Sequence, residues 1–277
     1  MISVRSFTKE WLLEANRLLG WNRQEVQLKN LEKAIAALYL LERLAAEKLD
    51  FIFKGGTSLL LLLEKIYRLS VDIDIIVEQP ILDLDMVFSR ICQNSELFIR
   101  YAKQEREDGT FGVEYYRFFY YPFADDAEET CILLDLYHTE NPYAVTTSKE
   151  ISSAILATDG ENLTVRMPDV ESILGDKLTA FAPDTIGITL LAEPGHRPKR
   201  VEVLKQLFDI GNLFERAENV SRIRQTYQTV ALHEIKQFGL EITPEDVLRD
   251  SLRYAYIIGF SGELEKDQYD IIGERSI

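Results

Sequence analysis

Apolar residues recur at steps of three and four through residues 26–50. Leu28, Leu31, Ile35, Leu38, Leu41 and Leu44 fall on one helical face, so this stretch predicts an amphipathic helix. The first fifty residues as a whole read as helical. Phe51, Ile52 and Phe53 then make a short apolar run suited to a strand, and residues 59–67 suit a helix. Gly55 and Gly56 therefore stand between a strand and a helix N-terminus. Residues 70–77, SVDIDIIV, alternate with period two and predict a strand whose Val71, Ile73 and Ile75 face a core. A helix over 84–92 follows. Strands are expected over 98–105, 111–121 and 130–137, with Asp108-Gly109 as the hairpin turn between the first two. Another strand is expected over 163–167. Beyond Pro168 the pattern is helical. Asp169 can cap a helix over 170–181, the Pro/Gly-rich stretch 192–200 interrupts, and helices resume over 201–214, 221–238 and 243–258.

A helical leader, strands clustered between 51 and 167, and a helical C-terminal part make the class α+β rather than doubly wound. Two regions are expected: a mixed-sheet core with its helical leader over 1–165, and a helical subdomain over 166–277. No internal repeat or low-complexity tract is visible.

Composition narrows the partners. The formal net charge is -15 and the pI about 4.8. Any face that met nucleic-acid phosphates would therefore have to be local. Two cysteines, Cys92 and Cys131, cannot build a disulfide framework or a zinc cage, and read as buried thiols in a reducing compartment. Charges interrupt every apolar run near the N-terminus, leaving no signal-peptide core. The apolar stretch 34–41 is far shorter than the roughly 20 residues a membrane span requires. The expectation is a cytoplasmic protein without a membrane association.

Three features carry candidate chemistry. In Lys54-Gly55-Gly56-Thr57-Ser58, glycines at a strand-to-helix turn let backbone N–H groups approach an anion. The helix N-terminus adds partial positive charge and the hydroxyls add donors, so a triphosphate fits. A plain tight turn is the alternative. In Asp72-Ile73-Asp74, period two puts both carboxylates on one strand face, where a cation such as Mg²⁺ between them relieves their repulsion. An acidic solvent face is the alternative. Asp135 is a lone carboxylate in the apolar strand CILLDLYH. It is either the third ligand of a metal site or an edge-strand acid facing water.

Taken together, these residues resemble a known signature. Residues 54–77 are similar to the nucleotidyltransferase superfamily pattern of Gly-Gly or Gly-Ser followed by Asp-x-Asp. More narrowly they resemble the AbiEii/AbiGii toxin family (type IV toxin–antitoxin, MenT-like), with Lys-Gly-Gly-Thr and then Arg-x-Ser-x-Asp-x-Asp. The matching residues are Lys54, Gly55, Gly56, Thr57, Arg68, Ser70, Asp72 and Asp74. Downstream, Asp176-Lys177-Leu178 matches the family's Glu/Asp-Lys-Leu context, and the resemblance implies that Lys177 contacts the triphosphate. Of the family's Arg-Asp-x-x-Asp-Leu-like element, Asp209 keeps the second acid, while Lys205-Gln206 stands in place of Arg-Asp. The resemblance spans residues 30–215.

It implies a nucleotidyltransferase-like mixed sheet with flanking helices and a metal-dependent transfer of NMP from an NTP to an acceptor hydroxyl, with pyrophosphate released. Asp72, Asp74 and Asp135 would hold a two-metal Mg²⁺ site, which Mn²⁺ also suits, with Asp135 a candidate base. Lys54, Gly55, Gly56, Thr57, Ser58, Ser70, Lys177 and Asp209 would serve the nucleotide. The implied role is the toxin of a toxin–antitoxin or phage-defence pair acting on a tRNA end or a protein, with a cognate antitoxin. Two rivals stand: transfer to a small molecule such as an aminoglycoside, and a catalytically silent nucleotide-binding module.

The remaining motifs read blandly. Tyr115, Tyr116, Phe118, Phe119, Tyr120 and Tyr121 suit a strand covered on both faces more than a base-stacking platform. The basic stretch from His196 to Arg200 suits a solvated loop. His138 follows the Asp135 strand, His196 and His233 lack metal-ligand spacing, and the Ser-x-x-Lys at Ser6 is a chance match. Walker A, Rossmann and Gly-x-Ser-x-Gly patterns are absent.

Overall fold

The structure, a computed structural model, describes residues 1–20, 25–81, 83–105, 112–125, 128–190, 199–260, 263 and 265–273. It divides into two compact units: Met1–Asn141 with Thr147–Met167, and Pro142–Thr146 with Pro168–Ile277.

The first unit is built on a mixed seven-stranded sheet. Its strands are β1 (Ile52–Lys54), β2 (Ile73–Val77), β3 (Arg100–Gln104), β4 (Val113–Tyr120), β5 (Thr130–His138), β6 (Thr146–Glu150) and β7 (Thr164–Pro168). Their order across the sheet is β3-β4-β5-β2-β1-β7-β6. β2 runs antiparallel to β1 and parallel to β5. This is the expected α+β class. β6 escapes the hydrophobic pattern because it is an edge strand, Thr-Thr-Ser-Lys-Glu, with no buried residue to signal it.

One face of the sheet is dry. Ile73, Ile75, Leu134, Leu136 and Phe118 are fully buried there. Helix α2 (Glu25–Ala46) packs on β2 and β5, and α1 (Lys9–Leu18) packs on α2. The periodicity predicts one apolar face for α2. In fact every residue from 34 to 41 is buried, so the middle of this helix is surrounded. Helix α4 (Leu84–Gln93) sends Phe88 edge-on against Tyr116 and Phe118, with ring centroids 4.8 and 5.2 Å away. The aromatic run is thus mostly core, although Tyr121 at its end is exposed. Ser6 bonds the backbone of Ala157 through both N and O, a structural role. Burial pushes the Cys92 thiol up to about 11, so it stays protonated at neutral pH.

A buried acid closes this core. Glu32 accepts from the Tyr120 hydroxyl at 3.0 Å and from the backbone N–H groups of Phe123 and Ala124 at 3.0 and 2.6 Å. Glu32→Ala should cost about 2–3 kcal/mol, because three donors lose their acceptor at a site closed to water. Chemical denaturation measures this, and a cost below about 0.5 kcal/mol would mean that the donors find other partners.

The second unit is helical: α5 (Val170–Ala180), α6 (Arg200–Phe214), α7 (Val220–Phe238), α8 (Pro244–Gly259) and α9 (Lys266–Gly273). Asp169 caps α5 as expected, accepting from the Ser172 N–H at 2.8 Å. Gly175 lets α5 and α7 approach. A Cβ there would lie 2.7 Å from the Ile223 carbonyl oxygen and 2.9 Å from the Tyr227 nitrogen. Residues 142–146 join this unit by donating to its side chains: Ala144 N–H to Thr226 at 2.9 Å and Val145 N–H to Ser172 at 3.1 Å. Asp108-Gly109, His196 and most of the 192–200 stretch lie outside the described residues. Among the described residues, no helix is long and apolar enough to cross a membrane.

Candidate active site

Strand register assembles the site on the sheet face opposite α2. Lys54 of β1 is the Cα partner of Asp74 on β2, Asp74 is that of Asp135 on β5, and Asp135 is that of Tyr115 on β4. Cross-strand partners share a face, and neighbouring strands lie about 4.8 Å apart. The two acids are therefore side by side, with a lysine on the far flank of Asp74. β5 lies inside the sheet, between β4 and β2. Asp135 is thus not an edge-strand acid but a half-buried one in the middle of the row. Asp72 stands just before β2, two residues from Asp74, and is exposed.

The glycine pair explains why the two halves of the motif belong together. Helix α3 (Gly55–Leu62) begins directly after β1, four residues earlier than the sequence predicts, and ends at Leu62, where Leu63 turns extended. The chain from 63 onward then returns over the helix start. Gly55 has φ +77°, and a Cβ there would lie 2.1 Å from Asp74 Oδ2. At Gly56 a Cβ would lie 2.8 Å from Arg68 Nη2 and 2.9 Å from Ser70 Oγ. Each glycine therefore makes room for one part of Arg-x-Ser-x-Asp-x-Asp. Lys54 at the N-cap makes no side-chain capping bond to the first turn of α3. Such a helix start presents N–H groups suited to an anion.

Thr57 and Ser58 turn inward. The Thr57 hydroxyl donates to the Asp72 carbonyl at 2.6 Å, and Ser58 donates to the Gly55 carbonyl at 2.7 Å. Both residues are fully buried. In this arrangement the Thr57 hydroxyl ties α3 to the Asp-x-Asp segment, the Ser58 hydroxyl closes on the first turn of α3 itself, and the donors left to the turn are backbone N–H groups.

Gly55→Ala follows as a sharp test. The left-handed φ alone costs an alanine about 1–2 kcal/mol. The methyl group must also push the Asp74 carboxylate aside, and a misplacement on this scale costs about 10²-fold in rate. Transfer rate and melting temperature together measure it. A variant with wild-type rate would show that the Asp74 position is not critical.

The contacts of Tyr137 on this face are not foreseen from the sequence. The Tyr137 hydroxyl donates to Asp74 Oδ1 at 3.4 Å, and Lys54 Nζ lies 4.3 Å from the centre of the Tyr137 ring. Period two flags Tyr137, two residues beyond Asp135, but an aromatic in an apolar strand reads first as core. His138 points to the other face and pairs with Glu114 at 3.1 Å, away from the acids.

In the second unit, Lys177 of α5 and Asp209 of α6 form a buried ion pair at 2.7 Å, with side chains 6% and 2% exposed. Gln206 Oε1 accepts a second bond from Lys177 Nζ at 3.0 Å. Gln206, which departs from the family pattern, thus serves Lys177 directly.

Among the described residues, no group of three or more His, Cys, Asp or Glu side chains is arranged to hold a metal ion by itself. Mg²⁺ usually binds through one or two carboxylates and completes its shell with water and phosphate oxygens. The adjacent Asp74 and Asp135, with Asp72 close in sequence, fit that donor set.

The profile of the nucleotidyl transferase AbiEii toxin family, type IV toxin–antitoxin system, matches residues 39–263. No curated protein matches the chain significantly. Among solved structures, MenT4, a nucleotidyltransferase toxin from Mycobacterium tuberculosis H37Rv, is 14% identical. The match covers 95% of this chain and 94% of that one, with a TM-score of 0.56. JHP933 from Helicobacter pylori is 18% identical over 91% of this chain and 100% of its own, with a TM-score of 0.45. An antigenic nucleotidyltransferase-like protein from Paracoccidioides brasiliensis is 14% identical over 79% and 97%, with a TM-score of 0.46. Of the three, the likeness to MenT4 is the one that bears on the fold. With a profile matched over most of its length, the chain belongs to the AbiEii family of nucleotidyltransferase toxins of type IV toxin–antitoxin systems.

Proposed function

We propose that this enzyme transfers NMP from a metal-bound NTP to an acceptor hydroxyl and releases pyrophosphate. The observation that carries the reading is the row Lys54–Asp74–Asp135, with Asp74 seated over Gly55 at the start of α3. In this reading the acceptor oxygen forms a bond to the α-phosphorus, and the bond from that phosphorus to the pyrophosphate oxygen breaks. Asp72, Asp74 and Asp135 would hold Mg²⁺ or Mn²⁺, which when bound supplies positive charge to the reacting phosphates. Asp135 is the candidate acceptor of the hydroxyl proton. The backbone N–H groups of Gly55, Gly56, Thr57 and Ser58 face the β- and γ-phosphates, with Lys54 and Ser70 beside them. Lys177 is assigned to the triphosphate, as the family pattern has it, and Asp209 fixes the Lys177 ammonium through their ion pair.

The acceptor we favour is a tRNA end or a protein, with a cognate antitoxin as partner and the cytoplasm as compartment. Family membership supports the toxin role. The net charge of -15 speaks for a cationic small acceptor instead. The test is incubation of the protein with Mg²⁺, each α-labelled NTP in turn, and total tRNA, protein extract or an aminoglycoside, beside the Asp72→Ala/Asp74→Ala double variant. Label in tRNA or protein with wild type alone supports the reading and names the nucleotide. Label in the aminoglycoside keeps the chemistry and changes the acceptor. No labelled product and no NTP binding would leave a silent binding module.

A further inference from the structure

We propose that Tyr137 is a positioning residue that holds two members of the site at once: Asp74 through its hydroxyl and Lys54 through its ring. The inference rests on the transferase reading above and deepens it.

Tyr137 is the Cα partner of Ile76, one same-face step along the strands from the Asp74–Asp135 pair. Diagonal neighbours at this spacing are within reach of a long aromatic side chain. Its hydroxyl therefore meets Asp74 Oδ1 at 3.4 Å, while the other oxygen, Oδ2, lies over Gly55. The carboxylate is bracketed, with one oxygen against a donor and the other against a glycine with no side chain to displace it. The 3.4 Å contact is long for an O–H···O bond. Such bonds often tighten only when substrate is bound. Lys54 is the Cα partner of Asp74 on the other side. Its ammonium lies 4.3 Å from the Tyr137 ring centre, well within cation–π range. A ring restrains an ammonium without cancelling its charge, which suits a cation that must then meet phosphate.

The two functions separate by substitution. Tyr137→Phe removes the hydroxyl and keeps the ring. Tyr137→Leu removes both. Loss of a residue that orients a ligating carboxylate typically lowers activity or metal affinity about 10–100-fold. The Phe variant should lose that much kcat, and need correspondingly more Mg²⁺, with its KM for NTP within about twofold of wild type. The Leu variant should in addition raise the KM for NTP several-fold. Two readouts are independent of turnover. Calorimetric binding of a non-hydrolysable NTP at limiting Mn²⁺ should weaken in the Phe variant, through its poorer hold on the metal, and weaken further in the Leu variant. In protein with ¹³C-methylated lysines, the Lys54 signal, assigned with Lys54→Arg, should be shifted by the ring in wild type and Phe but not in Leu.

An active wild type with a Phe variant of equal kcat and Mn²⁺·NTP affinity would overturn the hydroxyl role. A Lys54 signal indifferent to Leu would overturn the ring role. A wild type that neither transfers nor binds NTP would overturn the transferase reading, and the role of Tyr137 with it.

Discussion

Asp74→Asn should abolish nucleotidyl transfer, by about 10³-fold or more, the scale of losing a key charge at a phosphoryl-transfer centre, and should leave the protein as stable as before or slightly more so. Asn is nearly isosteric, so it can occupy the space over Gly55 and still accept from Tyr137 at Oδ1. What it lacks is charge. In the metal-free protein, Asp74 and Asp135 are like charges on adjacent strands. Neutralising one relieves repulsion. In the reaction the same charge is needed to hold the cation beside the phosphates. Opposite signs in activity and stability are what a site selected for function rather than folding produces. Single-turnover transfer at saturating Mg²⁺, run beside a thermal melt, measures both. Transfer within about tenfold of wild type would be incompatible with the central role given to Asp74.

The Lys177–Asp209 pair should behave in the opposite way when broken. Both side chains are almost completely buried, and Lys177 also donates to Gln206. Removing one partner leaves a largely buried charge without its counter-charge, which typically costs about 3–5 kcal/mol. Against a total stability on the order of 5–15 kcal/mol, that is a large loss. Lys177→Met and Asp209→Leu should each lower the denaturation midpoint of the protein sharply. The double variant should recover most of the loss, because two apolar side chains can replace a buried pair at little cost. Recovery of folding separates structure from chemistry. If Lys177 touches the triphosphate, the double variant folds and does not transfer. A double variant that folds and transfers at the wild-type rate would reduce the pair to a structural element of the second unit.

Much of this protein is legible in its sequence, for physical reasons. The apolar periods of α2 and of the α7 and α8 helices mark elements whose buried faces repeat every three or four residues, and their observed bounds lie close to the predicted ones. Asp169 marked the start of α5 because a capping side chain acts on its own local backbone. The Gly-Gly turn and Asp-x-Asp strand are equally local, so their residue types and spacing identified the family. What depends on distant partners was not legible. β6 has no apolar alternation, because an edge strand buries little. The start of α3 at Gly55 is set by Asp74, Arg68 and Ser70 returning over it, and that return follows from β1–β2 pairing. Asp135 reads equally well as an edge acid or a ligand until β5 is found parallel to β2, with Asp135 opposite Asp74. Tyr137 looks like core until register brings its hydroxyl to Asp74 and its ring to Lys54. Sequence by itself determined the chemical groups and the local turns that present them. Tertiary structure alone decided which groups are neighbours, because strand register, a long-range property, chooses the partners.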